Sequence, residues 1–468
     1  MNKKTKIIAT LGPASSSKET IKELIESGVN IFRLNFSHGS HEEHLLRLKM
    51  VRAVANEAGV HIGVLQDLGG PKIRIGSFET ETVTLERGAP FALTTEDVMG
   101  TAERVSINYK KLPEEVEVGG RLMLDDGKVE LKVESVEGNT IHTVVVHGGE
   151  ITSRRGVNAP GAHLSIETLT DKDKRDLRFS PDEPVDFVAL SFVRSREDIE
   201  DLRRELASIG SDAAIVAKIE TTEAIDRIES IIEATDIVMV ARGDLAVEIP
   251  TENVPFQQKK IITKCRELGR PVIVATQMFE TMIENPVPTR AEVSDVANAI
   301  LDGTDAIMLS GETAVGKYPV AAVRTMTRIA LHTEKESAKS PTIYQELSED
   351  GTGAITSVLL ELSVKTKAVA IVTLTQRGLT AQKISRHRPY APIVALTPNV
   401  ITARKLVVAY GVEPLIIENF TSLDDLLERT PKILVESGYA TEGSHILLTT
   451  GTTFGVSGST NTVIVLRV

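Results

Sequence analysis

Residues 186–244 read DFVALSFVRSREDIEDLRRELASIGSDAAIVAKIETTEAIDRIESIIEATDIVMVARGD. Three nearly continuous apolar runs, Asp186–Phe192, Ala214–Ile219 and Ile237–Ala241, alternate with two amphipathic stretches, Arg196–Ile209 and Thr222–Ala234. Runs that are apolar on both faces suit strands of a parallel sheet covered on each side, and the stretches between them suit crossover helices. The pattern extends outward: Lys6–Leu11, Ile31–Phe36 and His61–Leu68 precede it, and Pro271–Gln277 and Ala306–Ser310 follow. Helical stretches such as Lys18–Ser27 and Val254–Leu268 lie between them. Eight repeats predict an α/β fold, a closed (β/α)8 TIM barrel; periodicity alone leaves a doubly wound open sheet as the alternative.

The repeat is interrupted once, from about Pro71 to Thr168. The runs VTLERGAPFAL, RLMLDD, KVELKVESVEG and TIHTVVVHGGEI alternate or cluster β formers between Gly-rich turns, so this interval is all-β. Both of its ends belong to the barrel. It therefore hangs from the loop after the third strand, on the face where barrel enzymes keep their chemistry, and reads as a lid. After the polar stretch Lys335–Asp350 a second pattern begins: a helix over Ala354–Val364, then strands at Ala368–Leu374, Ile393–Leu396, Val412–Ile417, Ile446–Leu448 and Val463–Leu466. The expected organisation is a barrel from residues 1–70 and 169–340, an inserted β-barrel lid domain over 71–168, and a C-terminal α/β regulatory domain over 341–468.

Composition narrows the function. A chain of 468 residues exceeds what one core fills, and 41% hydrophobic with 25% charged residues excludes a disordered or fibrous protein. Lys plus Arg number 53 against 65 Asp plus Glu, a net charge of −12, which argues against nucleic acid as a partner. The single cysteine, Cys265, cannot form an intrachain disulfide, and the start MNKKTKIIATLG lacks an apolar signal core, so a cytoplasmic setting is expected. No apolar run approaches the roughly 20 residues of a membrane span.

Chemistry collects where the strands end: Arg33, Asn35 and Ser37; Asp67; Lys218 and Glu220; Arg242 and Asp244; Thr276; Ser310 and Glu312. Side chains two apart on a strand point the same way, so Arg33/Asn35, Lys218/Glu220 and Arg242/Asp244 are each expected to face one barrel mouth. Glu220 and Asp244 can offer two hard oxygens to Mg2+, with Lys218 and Arg33 meeting an anionic substrate. With no suitably placed histidine, the set points to metal-organised phosphate or carboxylate chemistry rather than acyl transfer. The bland alternative is a salt-bridge ring that merely closes the barrel. Gly311–Tyr318 nearly matches a P-loop, but Tyr318 replaces the required hydroxyl and Pro319 follows, so a Walker site is not expected. His38, His41 and His44 read as an exposed helix start, and Cys265 as a small buried hydrophobe.

At these residues the chain resembles pyruvate kinases. The segments TKIIATLGPAS, IFRLNFSHG, GPKIRIG, GVNAPG, KIET, MVARGDLAVEIP, VIVATQMFETM, PTRAEVSDVANAILDGTDAIMLSGETAVGKYP and GVSGSTNTVIVLRV fall in that family's order over essentially the whole length. The resemblance implies phosphoryl transfer from phosphoenolpyruvate to ADP, giving ATP and pyruvate, in the last step of glycolysis. It assigns Arg33 to the substrate phosphate, Lys218 to charge on the phosphoryl in flight, and Glu220 and Asp244 to Mg2+. Gly243, Asp244 and Thr276 line the substrate, Thr276 near the carbon that receives the proton, with Ser310 and Glu312 beside them. Asn35, Phe36, Ser37, His38, Arg74 and Arg155 fall at nucleotide positions, and Asn35, Ser37, Asp67 and Leu68 at a monovalent-cation (K+) site. It also suggests a homotetramer.

Three departures stand out: Leu68-Gly69 for the usual Thr-Lys, Arg155 for a lysine, and Lys72 where many members have glutamate. Lys72 carries the same unit charge as K+, so activity is expected to be independent of K+. Thr375, Gln376, Arg377, Gly378 and Thr380 enter a helix near Ala381 and are read as a site for a phosphorylated effector, with Gly451–Thr460 closing over it. Two rival functions remain at this stage: a Mg-dependent lyase or aldolase on a pyruvate-binding barrel, which has no use for ADP, and a non-catalytic metabolite sensor. The complete Lys218, Glu220, Asp244 and Thr276 set argues against the second.

Overall fold

The computed structural model describes residues 3–337, 351–451 and 460–468. Eight strands close into a barrel: β1 (Lys6–Thr10), β2 (Ile31–Asn35), β3 (Gly63–Asp67), β4 (Phe187–Leu190), β5 (Ala214–Ile219), β6 (Ile237–Ala241), β7 (Val272–Ala275) and β8 (Ala306–Leu309). Neighbours run parallel, and β8 returns to β1 with Lys6 opposite Ala306. That closure removes the open-sheet alternative. Every strand is buried on both faces because each side chain set has its own apolar partner. Ile8, Ile31, Leu65, Phe187, Val216, Met239, Ile273 and Met308 fill the interior. Their sequence neighbours Ile7, Phe32, Val64, Val188, Ile215, Val238, Val274 and Ile307 pack outward under the helices. Each fully buried aliphatic contributes about 1.5–3 kcal/mol.

The α-helices of five or more residues in this body are α1 (Lys18–Glu26), α2 (His41–Ala58), α3 (Asp171–Asp176), α4 (Arg196–Ser208), α5 (Thr222–Asp226), α6 (Ile228–Ala234), α7 (Arg242–Glu248), α8 (Val254–Glu267), α9 (Arg290–Leu301) and α10 (Pro319–Ser337). α2 starts with a reciprocal Ser40–Glu43 capping box and ends on Gly59 at φ 66°. The stretch Thr222–Ala234, expected as one helix, is two, because Arg227 leaves helical geometry at φ −108°, ψ 20°. Cys265 is fully buried in α8.

The insertion carries no long helix. Its strands form a six-stranded sheet, in the order Val157–Asn158, Arg121–Leu124, Val129–Glu137, Thr140–His147, Pro90–Thr94, Arg104–Ser106, and a separate pair, Gly149–Thr152 with Thr82–Leu85. The two outermost strands do not pair directly, but the segment 73–76 runs between them and closes the ladder: Ile75 N–H bonds to the Arg155 carbonyl at 2.9 Å on one side, and Gly76 N–H bonds to the Ser106 carbonyl at 2.7 Å on the other. Alternation shows which face of a strand is apolar, but it does not show whether the outermost strands meet. Leu93, Leu122, Val129, Leu131 and Ile141 make a core of the insertion's own. At its root, Gly70 adopts φ +65°, and a Cβ there would come within 2.8 Å of Ser191 Cβ.

Beyond the barrel follow α11 (Gly351–Thr366), β9 (Ala370–Leu374), α12 (Leu379–Ser385), β10 (Ile393–Thr397), α13 (Val400–Leu406), β11 (Val412–Ile416), α14 (Leu423–Glu436), β12 (His445–Gly451) and β13 (Thr460–Arg467). The sheet order is β11-β10-β9-β12-β13, all parallel except the final antiparallel strand. α12 begins two residues earlier than expected. Val407 and Val408, just past α13, join the barrel's interior cluster and seal its N-terminal mouth. Lys6, buried in β1, donates to Val412 carbonyl at 2.8 Å and pairs with Glu413 at 3.0 Å. Arg388 pairs with Asp305 at 3.0 Å. The opposite, C-terminal mouth is left to the insertion.

Candidate active site

At that mouth the inward parity of the interior residues continues into polar side chains. Arg33 follows Ile31, Asp67 follows Leu65, and Lys218 and Glu220 follow Val216. Arg33 Nε lies 2.6 Å from Asp67 Oδ2; Lys218 Nζ lies 3.3 Å from Asp67 Oδ1 and 2.9 Å from Glu220 Oε1. Arg33 also donates to Thr10 Oγ1 at 3.2 Å, and Lys218 to Ser191 Oγ at 2.6 Å. Together with Asn35, Ser37, His38, Asp244 and Thr276 they surround a hollow of about 120 Å3 floored by Met239 and Met308.

Burial disfavours the charge on Asp67, but Lys218 and Arg33 outweigh it and hold the carboxyl below the usual carboxylate range. Burial likewise opposes the Lys218 ammonium, and Asp67 and Glu220 reverse the balance, raising it above the usual lysine range. For Glu220, burial followed by the charge of Asp244 prevails over Lys218, and its carboxyl is raised. Such a buried ring contributes little net stability, because desolvation consumes most of the Coulomb gain. Nor is it self-satisfied: Glu220 Oε1 and Asp67 Oδ1 are buried within ion-pair distance of Lys218 but without an aligned hydrogen bond. Asp244 has no ion pair among the described residues. Arg33, Lys218, Asp67, Glu220 and Asp244 then sum to one net negative charge, a ring that a divalent cation and an anion can complete. The carboxylates of Glu220 and Asp244 suit Mg2+, which takes few protein ligands and fills the rest of its octahedron with water and substrate oxygens. Among the described residues no three His, Cys, Asp or Glu side chains form a protein-only metal cage.

Two strand ends are strained. Phe192 sits at φ 55° and donates its N–H to Glu220 Oε2 at 2.7 Å; Thr276, β-branched, sits at φ 68°. Positive φ at such residues costs about 1–3 kcal/mol and persists where the surroundings over-determine it. Here Thr276 Oγ1 accepts from Gly243 N–H at 2.8 Å and donates to the Ala275 carbonyl at 2.6 Å, while Arg242 Nη2 donates to the Thr276 carbonyl at 2.8 Å. Arg242 itself is paired with Asp295 at 2.7 Å. This corrects the expected Arg242/Asp244 pairing in the mouth. Both lie on α7, not on a strand, so positions two apart diverge and only Asp244 borders the hollow.

Other expected residues are placed differently. Phe36 points outward into the shell, stacked on His44 at 4.1 Å and edge-on to Phe179, as strand alternation requires next to Asn35. Its carbonyl accepts from Lys172 at 2.8 Å. His44 is buried, so the helix start is not an exposed trio: its Nε2 meets the His38 carbonyl at 2.8 Å, while His41 pairs with Asp176 at 2.8 Å. Burial lowers the His44 pKa. Asn35 Oδ1 accepts from Ser37 N–H at 3.1 Å. The Leu68 carbonyl accepts from Ser191 Oγ at 2.9 Å. Arg74 borders the hollow and donates to the Arg154 carbonyl at 3.1 Å; Arg155 instead folds onto the insertion, 3.4 Å from Asp125. Glu312 is buried and accepts N–H donors from Phe279 at 3.0 Å and Ser310 at 2.7 Å, a brace rather than a wall; Ser310 Oγ is buried without a hydrogen-bond partner among the described residues. Lys317 of the P-loop look-alike pairs with Glu284 at 2.5 Å. Lys72 borders the hollow, exposed, with no ion pair among the described residues.

In the C-terminal body, Thr375 Oγ1 accepts from Gly378 N–H at 2.8 Å and Thr380 Oγ1 meets Thr460 Oγ1 at 2.9 Å, leaving Gln376 and Arg377 exposed. The segment expected to close over them, Gly451–Thr460, lies outside the described residues at 452–459. Two residues of the mouth, Thr10 and Ser191, went unnoticed in the sequence. Both continue the inward parity, Thr10 from Ile8 and Ser191 from Ala189, and that rule applied one step past each strand would have found them.

A parallel barrel with two cations and three carboxylates at its C-terminal mouth, under a domain inserted after β3, is the architecture of a metal-assisted enzyme acting on an anionic substrate. The chain matches the profiles described as "Pyruvate kinase, barrel domain" over residues 2–323 and "Pyruvate kinase, alpha/beta domain" over residues 353–466. It belongs to the pyruvate kinase family of phosphotransferases. It is 45% identical over 465 residues to "Pyruvate kinase 2" of Synechocystis sp., covering 98% of this chain and 78% of that protein. It is 43% identical over 467 residues to the pyruvate kinase of Geobacillus stearothermophilus, covering 98% and 80%. The crystal structure of a pyruvate kinase from Cryptosporidium parvum superposes with a TM-score of 0.92 at 33% identity, covering 99% of this chain and 96% of that one. No helix among the described residues is long and apolar enough to cross a membrane.

Proposed function

We propose that this chain transfers the phosphoryl group of phosphoenolpyruvate to ADP, releasing ATP and pyruvate. The bond from phosphorus to the enol oxygen breaks, a bond to a terminal oxygen of the ADP β-phosphate forms, and the enolate carbon takes up a proton. The observation that carries the reading is the Lys218 ammonium, fixed by Ser191, Asp67 and Glu220 at 2.6–3.3 Å beside the Arg33 guanidinium. Such a pair meets charge on a phosphoryl in flight without reorganising, which is where most of the catalysis in phosphoryl transfer lies. Arg33 binds the substrate phosphate, the Gly243 and Thr276 corner receives its carbon end, and Asn35, Ser37, His38 and Arg74 face the nucleotide. Glu220 and Asp244 would hold Mg2+, which supplies a hard positive centre for the substrate oxygens. The insertion acts as a lid that keeps water from the phosphoryl. Asn35, Ser37, Asp67 and the Leu68 carbonyl form the monovalent-cation site. A cytoplasmic homotetramer is the setting the reading implies. A phosphorylated effector at Thr375–Thr380 is its outermost part, supported by the exposed Arg377, and is tested by whether sugar phosphates alter the kinetics.

Pyruvate formation from phosphoenolpyruvate, assayed with and without ADP, tests the reaction; ADP-independent turnover would indicate a lyase. Lys218→Ala should lower kcat by about 10³-fold or more with KM nearly unchanged, since the ammonium acts on transition-state charge. Near-normal kcat would remove Lys218 from the reaction. Glu220→Gln should instead raise the Mg2+ concentration needed for half-maximal rate.

A further inference from the structure

Between the insertion and the ends of β5 and β6 lies a second cavity, of about 310 Å3, the size of a small-ligand pocket. It shares only Lys72, Phe192 and Asp244 with the catalytic hollow. Ile73, Val157, Leu164 and Ile166 of the insertion form one apolar wall, closed by Phe192. The facing wall is acidic: Glu223 and Asp226 come from α5, Asp244 and Glu248 from α7. Of the basic groups at these walls, Lys72 lies exposed at the rim shared with the catalytic hollow, and Arg194 and His163 are already engaged. Arg194 donates to the carbonyls of Leu164 and Ile166 and, at 2.9 Å, to Thr168 Oγ1; His163 lies 2.5 Å from Glu223. Among the described residues the Glu248 carboxylate has only a long contact, 3.5 Å from Asn158 Nδ2, and no cation pairs with it. Burial, ahead of the charges of Asp244 and Glu223, pushes its carboxyl up to about 7. A carboxyl at the edge of an apolar hollow is stabilised by a cation that brings its own apolar body, because the ligand lines the walls while its charge offsets the carboxylate's desolvation.

We infer that this cavity binds compact apolar cations, a primary ammonium on an aryl or alkyl body, with the body against Ile73, Leu164 and Phe192 and the ammonium on Glu248. The inference does not depend on the reaction proposed above. The occupant touches both the insertion and α7, so its binding is coupled to the angle of the insertion.

The test uses the full chain with phenethylammonium as probe, and phenylacetate and 2-phenylethanol as its anionic and neutral isosteres, read by calorimetry and saturation-transfer NMR. We expect phenethylammonium to bind with a Kd of about 1 mM or tighter. Phenylacetate should not bind, and the alcohol should bind at least about tenfold more weakly. Binding should persist with ADP and Mg2+ at saturation. Glu248→Gln should weaken it by about tenfold or more, and Ala162→Trp, which fills the cavity from the insertion side, should abolish it. Equal binding of ammonium and alcohol, no effect of Glu248→Gln, or displacement by ADP would each overturn the inference. Should Ala162→Trp fail to fold, the isostere series and Glu248→Gln still decide.

Discussion

Lys72 follows the hinge glycine Gly70, its N–H bonded to the Gly70 carbonyl at 3.0 Å and its own carbonyl held by Asn108 at 3.2 Å. The backbone is thus pinned while the ammonium borders the hollow with no ion pair among the described residues, an arrangement that brings a unit charge to the rim. A unit charge near a phosphate does the electrostatic work of a bound K+. We therefore expect nearly full activity in buffers free of K+ and Na+, and K+-dependence in Lys72→Glu; a wild type inactive without K+ would refute the assignment. At this scale the sequence was most legible where a residue lay on a strand. Arg33, Asp67, Lys218 and Glu220 inherit the inward parity of the apolar residues before them, and the structure brings all four together. Phe36 obeys the same rule and points the other way. Arg155 was not readable, because its direction is set by Asp125 and Thr152, partners that come together only when the insertion folds.

The junction between β6 and α7 shows what pattern reading misses at the scale of an element. MVARGD continues a strand's composition, yet the chain turns helical at Arg242, and the arginine leaves the mouth to brace the neighbouring strand end. Its guanidinium ties Asp295 on α9 to the carbonyl of Thr276, whose left-handed backbone needs such a support. Arg242 is on this view a positioning residue. Arg242→Ala should lower kcat by about 10–100-fold, the cost of a misplacement of roughly 1 Å at a reacting centre. Mg2+ half-saturation should stay within about twofold, because Glu220 and Asp244 remain. Arg242→Lys, which keeps the charge but loses the two-pronged bond, should recover only part. A parallel loss of Mg2+ affinity would show that Arg242 acts on the metal carboxylates instead. Strand and helix positions elsewhere followed the periodicity closely, while the break at Arg227 did not, since both halves keep an apolar face.

Across the whole molecule the two mouths of the barrel have separate duties: the insertion stands over the polar one, and the C-terminal body plugs the other with Val407 and Val408. The contacts that make this plug join residues some four hundred positions apart, such as Lys6 with Glu413, and no local pattern announces them. The same interface holds a group that titrates. At the seam with α8, Arg386 Nη1 donates to the Glu267 carbonyl at 3.3 Å, and its Nε to His387 Nε2, also at 3.3 Å. Burial first, then the charges of Arg386 and Arg266, push the His387 pKa down to about 4. In the unfolded chain it returns to about 6.5. Above that value both states hold the ring neutral, and the stability it contributes is intact. As pH falls through about 6.5 the unfolded chain takes up a proton that the folded chain refuses, so stability drains away until about pH 4 and then levels. The full shift would correspond to about 3 kcal/mol, and partial exposure of the ring reduces this to about 1–2 kcal/mol. Denaturant unfolding of the C-terminal transition at about pH 7.5 and about pH 4.5 should accordingly show a smaller acid loss in His387→Gln than in wild type, by that amount. An identical loss in both proteins would mean that the ring is protonated at the seam, with its charge accommodated beside the two arginines.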